Sequence, residues 1–355
     1  MGKPAIALAY TSGVIAPYVM DGIKEALTML GFRIVLYTPD LLDRLYKATD
    51  GPSTDRIPYL GAALKRWAAR NGVIAVIGYG GNLLCKIDDQ PDFIQPCVVA
   101  GIPSVSLWYD RPFDILYKYG REAPLTWNTA FWQQTCFDKK YIADLQTDGF
   151  QNVHYLPLGT NERIFQPLSG RALSDAAEKY STEAVFVGSY TELRAETMKR
   201  LSDSCGEARI AIFGDDGWRA DERTSRCFRG GVKYGTELNA VYCASKVVIN
   251  LDTPQLIISL NNRVFDALAG GNLIVTENKP DALDHFEPRK DLLVYTTIEE
   301  LADLVNAVCD SPDAYSTLPA RGREKVLAYH TWTKRVRTLL RLVAPAFEWK
   351  IVDAE

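Results

Sequence analysis

The sequence predicts an α/β protein made of two consecutive doubly wound domains, each built on a parallel sheet. At 355 residues, the chain is too long for one ordinary small domain. Short apolar segments alternate with helical patterns in both halves, as is typical of parallel sheets covered by helices on both faces. Polar and glycine-containing turns follow several of the predicted strands, which is where such sheets bind ligands.

The first half begins with a strand and keeps alternating. Strands are predicted where short apolar segments run into turns, at residues 5–10, 33–37, 73–77, 103–107, 131–137 and 153–156. Helices are predicted from apolar residues at helical spacing, at 19–30, 59–70 and 139–147. Asp138 stands before the last of these helices as its N-cap.

Residues 160–182 are polar and at first lack periodicity, so they are predicted to form a passage between domains. A second alternating set follows. Its strands are predicted at 184–187, 209–213, 246–250, 273–275 and 292–295, and its helices at 195–204, 236–245, 262–269, 297–309, 314–329 and 331–344. The predicted domains are therefore an N-terminal Rossmann-like domain (1–162), a C-terminal Rossmann-like domain (163–328), and a final helical segment (329–355) that packs back on the first domain.

The stretch from Ser259 to Glu277 carries the most chemistry. Arg263 and Asp266 are three residues apart on one short helix, so they are neighbours. A guanidinium at a helix start can clamp a diphosphate, and a carboxylate one turn later can accept hydrogen bonds from a ribose diol. The alternative is an ordinary Arg–Asp pair on a solvated helix face, which these residues taken alone favour.

Further candidate residues follow other predicted strands. They are Gly13, the loop of Tyr79, Gly80 and Gly81, Asp110, the Gly188-Ser189 turn, and Gly214. Two doubly wound domains would place these strand ends beside one cleft, together with Arg263 and Asp266. The sequence therefore predicts a nucleotide-type ligand between two Rossmann-like halves. Gly80-Gly81 alone is more typical of a tight turn than of a phosphate cradle.

Composition excludes several other classes. The formal net charge of −4 gives no general attraction to nucleic acid or membrane. No apolar run reaches the roughly 18 residues of a membrane span, so we expect no membrane insertion. Seven scattered cysteines without a CxxC pair favour buried thiols in a reducing cytoplasm. No Asp-x-Asp occurs, and Asp215-Asp216 is predicted to be a turn, so no metal site is expected.

In this order, five segments resemble the GT-B glycosyltransferases, and most closely the CgeB-like (spore-maturation-protein type) family. They are FDKKYIADLQTDGFQNVHYLPLGTNERIFQP (137–167), AVFVGSYTELRAETMKRL (184–201), GVKYGTELNAVYCASKVVINLD (231–252), NNRVFDALAGGNLIVTE (262–277) and YHTWTKRVRTLL (329–340). The resemblance implies a nucleotide-diphosphate sugar donor, with UDP expected, and no other cofactor or obligatory metal.

By position, the resemblance implies that Asp266 binds the ribose and that Arg263 and Arg194 hold the diphosphate. It also implies that Gly188 and Ser189 approach the phosphates, and that the stretch 213–234, which contains Gly214, faces the base. Ser259 stands where retaining relatives often carry a glutamate. The sugar and the stereochemical outcome are therefore left open.

A second resemblance is to phage DNA glucosyltransferases, which share the strand end before Pro-Phe that here reads Tyr109-Asp110-Arg111-Pro112-Phe113. It implies that Asp110 is the general base on the acceptor hydroxyl; bracing the loop is the structural alternative. The acceptor is left open between a saccharide, a protein and hydroxymethylated bases in DNA. The seven basic residues of 321–341 favour DNA, and the acidic overall balance opposes it.

Two other interpretations stay open. A nucleotide-sugar-binding protein without catalysis would keep Arg194, Arg263 and Asp266 but would not need Asp110. The aromatic residues Trp108, Tyr109, Trp127, Phe131 and Trp132 suit either a stacking wall for a sugar or base, or core packing.

Overall fold

The computed structural model describes residues 3–9, 16–49, 56–79, 94–116, 128–347 and 349. The chain divides into two compact units. The N-terminal unit comprises Met1–Pro157 and Trp332–Glu355, and the C-terminal unit comprises Leu158–Thr331. The sequence predicts boundaries at 162/163 and 328/329, and the divisions between the compact units fall at 157/158 and 331/332.

A parallel sheet of six strands forms the centre of the N-terminal unit. Its strands are β1 (Ala5–Ala9), β2 (Arg33–Leu36), β3 (Val73–Tyr79), β4 (Ser104–Trp108), β5 (Trp132–Cys136) and β6 (Val153–Tyr155). Their order in the sheet is β2-β1-β3-β4-β5-β6. β1, β4 and β5 are buried along their whole length, as expected for central strands of a sheet covered on both faces.

The helices of this unit connect the strands and end the chain. They are α1 (Ala16–Met29), α2 (Pro39–Lys47), α3 (Arg56–Asn71), α4 (Ile94–Ala100), α5 (Phe113–Leu116), α6 (Lys139–Thr147) and, at the end, α15 (Trp332–Val343). Asp138 caps α6 as expected, because its side chain accepts a hydrogen bond from the Lys140 amide at 2.9 Å. α15 packs against α1, where Gly22 leaves room for the indole of Trp332.

The C-terminal unit contains a second parallel sheet of six strands. They are β7 (Thr182–Val187), β8 (Ile210–Phe213), β9 (Phe228–Gly230), β10 (Ser245–Ile249), β11 (Ile274–Glu277) and β12 (Leu293–Tyr295). The order is β12-β11-β10-β7-β8-β9. The predicted fold class, two doubly wound α/β domains, is therefore confirmed.

The helices of the C-terminal unit lie between its strands. They are α7 (Gly170–Tyr180), α8 (Glu192–Cys205), α9 (Glu222–Cys227), α10 (Thr236–Cys243), α11 (Asn262–Ala269), α12 (Pro280–His285), α13 (Ile298–Asp310) and α14 (Leu318–Tyr329). Thr297 and Glu300 form a capping box at the start of α13. None of the helices that the structure describes has the length and apolar character needed to cross a membrane.

The predicted passage between the two domains differs from the prediction. Residues 160–182 were expected to form a passage without regular structure, but α7 occupies their second half. Ala176 is the only buried residue of α7, so the helix buries little apolar surface. A contact at the end of α7 stabilises the helix, since the Tyr180 hydroxyl donates to Glu237 at 2.6 Å.

Candidate functional site

The candidate site of the C-terminal unit lies at the point where the strand order of its sheet reverses. β7 and β10 are adjacent and parallel, yet the chain leaves them toward opposite edges of the sheet. Ligands of doubly wound sheets bind beside the carboxyl ends of the strands at such a switch point. Val187 ends β7, and Gly188 and Ser189 follow it. Leu251 follows β10.

Arg263 reaches this point from the first turn of α11. Its Nε donates to the carbonyl oxygen of Val187 at 2.8 Å, and its Nη2 donates to the same oxygen. Its Nη1 donates to the Leu251 carbonyl at 3.3 Å and to the side-chain oxygen of Asn250. The guanidinium therefore ties the ends of β7 and β10 together. It does not form the intrahelical pair with Asp266 that was the alternative interpretation.

Arg194 reaches the same strand ends from α8. Its Nη1 donates to the Ser189 carbonyl at 3.1 Å and its Nη2 donates to the Leu251 carbonyl at 3.0 Å. Burial, and then repulsion from Arg263, lower the pKa of Arg194 to about 10. The side chain remains charged at neutral pH, although it is only 7% exposed.

The two guanidinium groups share one aromatic ring. The ring of Phe186, the penultimate residue of β7, lies 4.8 Å from Arg263 Cζ and 5.5 Å from Arg194 Cζ. Cation–π contact stabilises both charges. Since like charges repel, this arrangement concentrates positive potential at the switch point, and an anion bound there would relieve the repulsion.

Gly188 and Gly214 are required by close packing between protein atoms. A Cβ atom at Gly188 would lie 2.8 Å from both Arg263 Nη2 and Phe186 Cζ. A Cβ atom at Gly214 would overlap the carbonyl oxygen of Gly188, which also accepts a hydrogen bond from Trp218 Nε1 at 2.9 Å. The two glycines thus let the ends of β7 and β8 approach each other, and Ser189 is left exposed beside them.

The acid pair after β8, predicted as a turn, lies at the start of a short 3-10 helix, Asp216–Arg219, which Asp215 caps. Asp215 Oδ2 accepts the backbone N–H of Tyr190 at 2.9 Å, and its Oδ1 accepts that of Gly217 at 3.0 Å. In the described part of the chain, no group of three or more His, Cys, Asp or Glu side chains is placed to hold a metal ion.

Asp266 lies on the same helix as Arg263, but its carboxylate is bound by other residues of the C-terminal unit. It is 1% exposed, and it accepts hydrogen bonds from the Thr160 hydroxyl at 2.6 Å and from the Tyr234 hydroxyl at 3.1 Å. Burial raises the pKa of this carboxyl to about 7, against the opposing effect of the two hydrogen bonds. Two protein hydroxyls therefore occupy the oxygens expected to bind a ribose.

A buried polar network that sequence reasoning missed supports the two arginines. Asn261 Nδ2 donates to Asn250 Oδ1 at 2.7 Å and to Asp252 Oδ1 at 2.6 Å. Lys279 Nζ forms an ion pair with Asp252 Oδ2 at 3.0 Å. Asn261 is the N-cap residue of α11, but its side chain makes no capping hydrogen bond because it donates into this network instead.

The N-terminal unit has its own switch point, between β1 and β3. Tyr79 ends β3 and stacks on Tyr109, which follows β4, with ring centroids 6.4 Å apart. Asp110 comes next and is half-buried. Gly13, Gly80 and Gly81 lie outside the described residues.

The suggested aromatic wall is partly core. Trp108 and Trp132 are fully buried, and their indole N–H groups donate to Gln134 Oε1 at 3.0 Å and to Ser106 Oγ at 2.8 Å. Tyr109 is buried beside Trp332, with ring centroids 5.9 Å apart. Phe131 is exposed, and Trp127 lies outside the described residues.

The basic residues of α14 bind an acidic side chain and a carbonyl group of the same unit. Lys325 pairs with Asp291 at 2.6 Å, and Arg321 pairs with the same carboxylate at 3.3 Å. Arg323 Nε donates to the Ala269 carbonyl at 3.1 Å. These contacts explain the basic pattern of α14 without a nucleic acid.

One family model matches part of this chain. Residues 193–341 match the family model described as "Glycosyl transferase-like", and this segment contains Arg194, Arg263 and Asp266. Comparison with curated protein sequences gives no significant match.

Solved structures share the fold over nearly the whole chain. A glycosyltransferase from Rickettsia africae has a TM-score of 0.68 at 14% identity, covering 99% of this chain and 100% of that one. HepE from Anabaena, crystallised with UDP-glucose, has a TM-score of 0.69 at 10% identity, covering 96% and 99%. A sucrose-phosphate synthase from Thermosynechococcus elongatus has a TM-score of 0.60 at 14% identity, covering 98% and 100%. The chain therefore has the GT-B fold.

Proposed function

We propose that this protein is a glycosyltransferase that moves a sugar from a nucleotide-diphosphate donor, with UDP as the nucleotide, to an acceptor hydroxyl. The observation that supports this proposal most directly is the pair of guanidinium groups, Arg194 and Arg263, at the switch point of the C-terminal sheet. The family match over 193–341 and the fold shared with a protein crystallised with UDP-glucose support the same function.

The diphosphate of the donor would lie over the Gly188-Ser189 turn, beside Arg194 and Arg263. As the bond to the sugar breaks, negative charge grows on the departing diphosphate. Two positive charges held by the protein would stabilise that charge without reorganising. Carbonyl oxygens already hold both arginines in place, so little side-chain entropy is lost on binding.

Ribose recognition by Asp266 requires one local change. A ribose hydroxyl can reach Asp266 Oδ2 only when the Tyr234 hydroxyl leaves it, while Thr160 keeps the other oxygen. The exchange replaces one hydroxyl donor by another, so the buried carboxylate stays hydrogen-bonded.

Asp110 is the proposed general base of the N-terminal unit. It follows β4 and is half-buried, and strand-end acids of such sheets are well placed to act on ligands. A carboxylate held beside an acceptor hydroxyl can take its proton as the new bond forms. We further propose that catalysis needs no metal, since Arg194 and Arg263 supply the positive charge that a metal would otherwise provide.

UDP binding tests this proposal directly. We expect wild type to bind UDP in calorimetry, and to gain about 2.7 kcal/mol of stability at roughly a hundredfold excess over its Kd. Arg263→Ala should weaken binding about tenfold or more, because it removes a charge-assisted contact. Arg226→Ala removes an arginine of the same unit that pairs with Glu207 and Glu222, and it should bind as wild type does.

Binding is measured directly because Arg263→Ala also removes the tie between β7 and β10, which lowers stability by itself. Absence of UDP binding by the wild type would remove the proposal. Equal UDP binding by wild type and Arg263→Ala would show that the diphosphate binds at another place in the protein.

A further inference from the structure

The amino ends of the parallel strands form one edge of the N-terminal sheet, opposite the edge at which Tyr79 and Asp110 lie. Three cations belong to this amino edge. Lys3 precedes β1, Arg33 begins β2, and Arg70 lies in the last turn of α3, directly before β3. All three are exposed, and within the described part of the chain none of them forms an ion pair.

Hydrogen bonds between the connecting segments place these cations close together. The Arg33 amide donates at 2.9 Å to the carbonyl of the residue after Lys3. The Arg33 guanidinium donates to the carbonyl of Asn71, the residue after Arg70. A carbonyl is uncharged, so this contact leaves the positive charge of Arg33 in place. Arg66 lies one turn before Arg70 on α3 and is exposed as well, so it extends the basic cluster along the helix.

Exposed apolar side chains accompany the cations at the amino edge. Met29, in the last turn of α1, is 52% exposed; Val99, in the last turn of α4, is 57% exposed; and Phe131, directly before β5, is 44% exposed. A Cβ atom at Gly61 of α3 would lie 3.3 Å from Val99 Cγ1, and one at Gly101 would lie 3.6 Å from Phe131 Cζ. α4 therefore lies between α3, which carries two of the cations, and Phe131.

The amino edge is narrow and almost free of acids. The strands run β2-β1-β3-β4-β5-β6 across the sheet, and at about 4.8 Å between neighbours β2 and β5 lie within roughly 20 Å of each other. Among the described connections at this edge, only the one before β6 holds an acid, Asp148. Two copies of this edge would repel each other, so a partner must be negative and must also accept apolar side chains.

We propose that the amino edge of the N-terminal sheet binds the surface of a bilayer that contains acidic phospholipids. The headgroup phosphates would meet the cations, while Met29, Val99 and Phe131 would enter the boundary between headgroups and acyl chains. A polynucleotide would match the charges but would leave those apolar side chains without a partner.

Charge also sets the orientation on such a membrane. The whole chain carries a formal net charge of −4, so acidic lipids repel its remaining surface and only the amino edge would face them. The carboxyl ends of the strands, where Asp110 lies, point away from the bilayer in this orientation. The protein would lie on the membrane without crossing it, and this binding is independent of the proposed transferase activity.

Co-sedimentation of the full chain with lipid vesicles tests the proposal. We expect binding to vesicles of mixed phosphatidylserine and phosphatidylcholine, and none to phosphatidylcholine alone. Binding should be lost between about 0.1 M and about 1 M salt, because the Debye length falls from about 10 Å to about 3 Å. Lys3→Gln, Arg66→Gln and Arg70→Gln combined should weaken binding about a hundredfold, at roughly fivefold for each cation.

A second triple variant is the matched control. Arg171→Gln, Arg200→Gln and Lys290→Gln combined remove three exposed cations of the C-terminal unit. The net charge changes by the same amount, but the amino edge stays intact, so this variant should bind vesicles about as wild type does.

A pair of substitutions tests the apolar contribution. Val99→Ser with Phe131→Ser should weaken vesicle binding several-fold and leave any affinity for a DNA duplex unchanged. Leu173→Ser with Leu283→Ser removes two exposed leucines of the C-terminal unit, and this control pair should bind vesicles as wild type does.

The proposal is overturned if the wild type does not bind acidic vesicles, or if the two triple variants bind them equally. It is also overturned if duplex DNA displaces the protein from vesicles while Val99→Ser with Phe131→Ser binds them as wild type does, since the edge would then be a nucleic-acid site. Should the first triple variant fail to fold, the Val99 and Phe131 pair decides alone.

Discussion

At the scale of single residues, the environment of Asp266 differs from that of a carboxylate that is free to bind a ribose. The carboxylate is buried, and hydroxyls on Thr160 and Tyr234 occupy both of its oxygens. Thr160 is 106 positions away along the chain, so no local pattern around Asp266 predicts this contact. The helix α11 was predicted from the sequence, but the environment of the acid depends on tertiary packing.

Tyr234→Phe tests whether the hydroxyl of Tyr234 competes with the ribose. The change leaves Asp266 Oδ2 without a donor and should lower the stability of the free protein by about 1–3 kcal/mol. A ribose hydroxyl would then satisfy that oxygen, so UDP should bind several-fold more tightly. Thermal unfolding and calorimetry measure the two effects.

Tyr180→Phe is the control for Tyr234→Phe, since it removes another hydroxyl that donates to a carboxylate of the same unit. It should leave UDP affinity unchanged. If Tyr234→Phe binds UDP no better than wild type, Asp266 does not take the ribose by this exchange.

The raised pKa of Asp266 predicts a pH dependence of stability. Burial holds the folded pKa at about 7, while the unfolded value is near 3.9. Between these values the folded state binds more protons than the unfolded state, so stability falls as pH rises from roughly 4 to 7. At about 1.4 kcal/mol per pKa unit, the effect is of the order of a few kcal/mol.

Asp266→Asn removes this titration and should show a flatter profile. The difference in unfolding free energy between variant and wild type, measured by denaturant titration across pH 4–8, isolates Asp266 from the other carboxyls. Glu237 acts in the opposite sense, because its pKa is lowered to about 2, first by the Tyr180 hydrogen bond. A difference that does not change with pH would contradict the assignment.

At the scale of elements, Gly188 after β7 and Gly214 after β8 allow the two strand ends to pack closely beside Arg263. A side chain at Gly214 would overlap the Gly188 carbonyl, which belongs to the turn beneath Arg263. Gly214→Ala should therefore destabilise the protein by about 1–3 kcal/mol, as overpacking does, and weaken UDP binding. Gly231→Ala is the control, since its nearest contact would be an ordinary 3.5 Å. Equal effects of both changes on unfolding and binding would refute this account.

The same elements show which parts of the fold could be predicted from the sequence and which could not. The strands other than β9 were predicted, because segments such as β1 and β10 contain short apolar runs, and longer helices such as α13 carry both an apolar face and a capping box. α7 was missed because it is almost entirely exposed, and α12 because six residues are too few to show a period. The ion pair of Asp252 and Lys279 was missed because its members belong to separate strand ends.

At the scale of the whole molecule, each unit contributes a different part of the proposed chemistry. The positive charge belongs to the C-terminal unit, and the base candidate belongs to the N-terminal unit. If Arg194 and Arg263 do the work of a metal, transfer to an acceptor, or hydrolysis of the donor, should continue in excess EDTA. A loss of about tenfold or more that Mg²⁺ or Mn²⁺ restores would show that the arginines are insufficient.

Asp110 separates a transferase from a protein that only binds the donor. Asp110→Asn keeps the size of the side chain but removes its basicity, and loss of a general base typically costs on the order of 10²–10⁴ in rate. We expect UDP affinity to equal that of wild type, because Asp110 belongs to the other unit from the arginines, while transfer falls by that range. Asp114→Asn is the control, since Asp114 is an exposed acid four residues away. If Asp110→Asn transfers sugar at nearly the wild-type rate, the acid braces its loop and another group takes the acceptor proton.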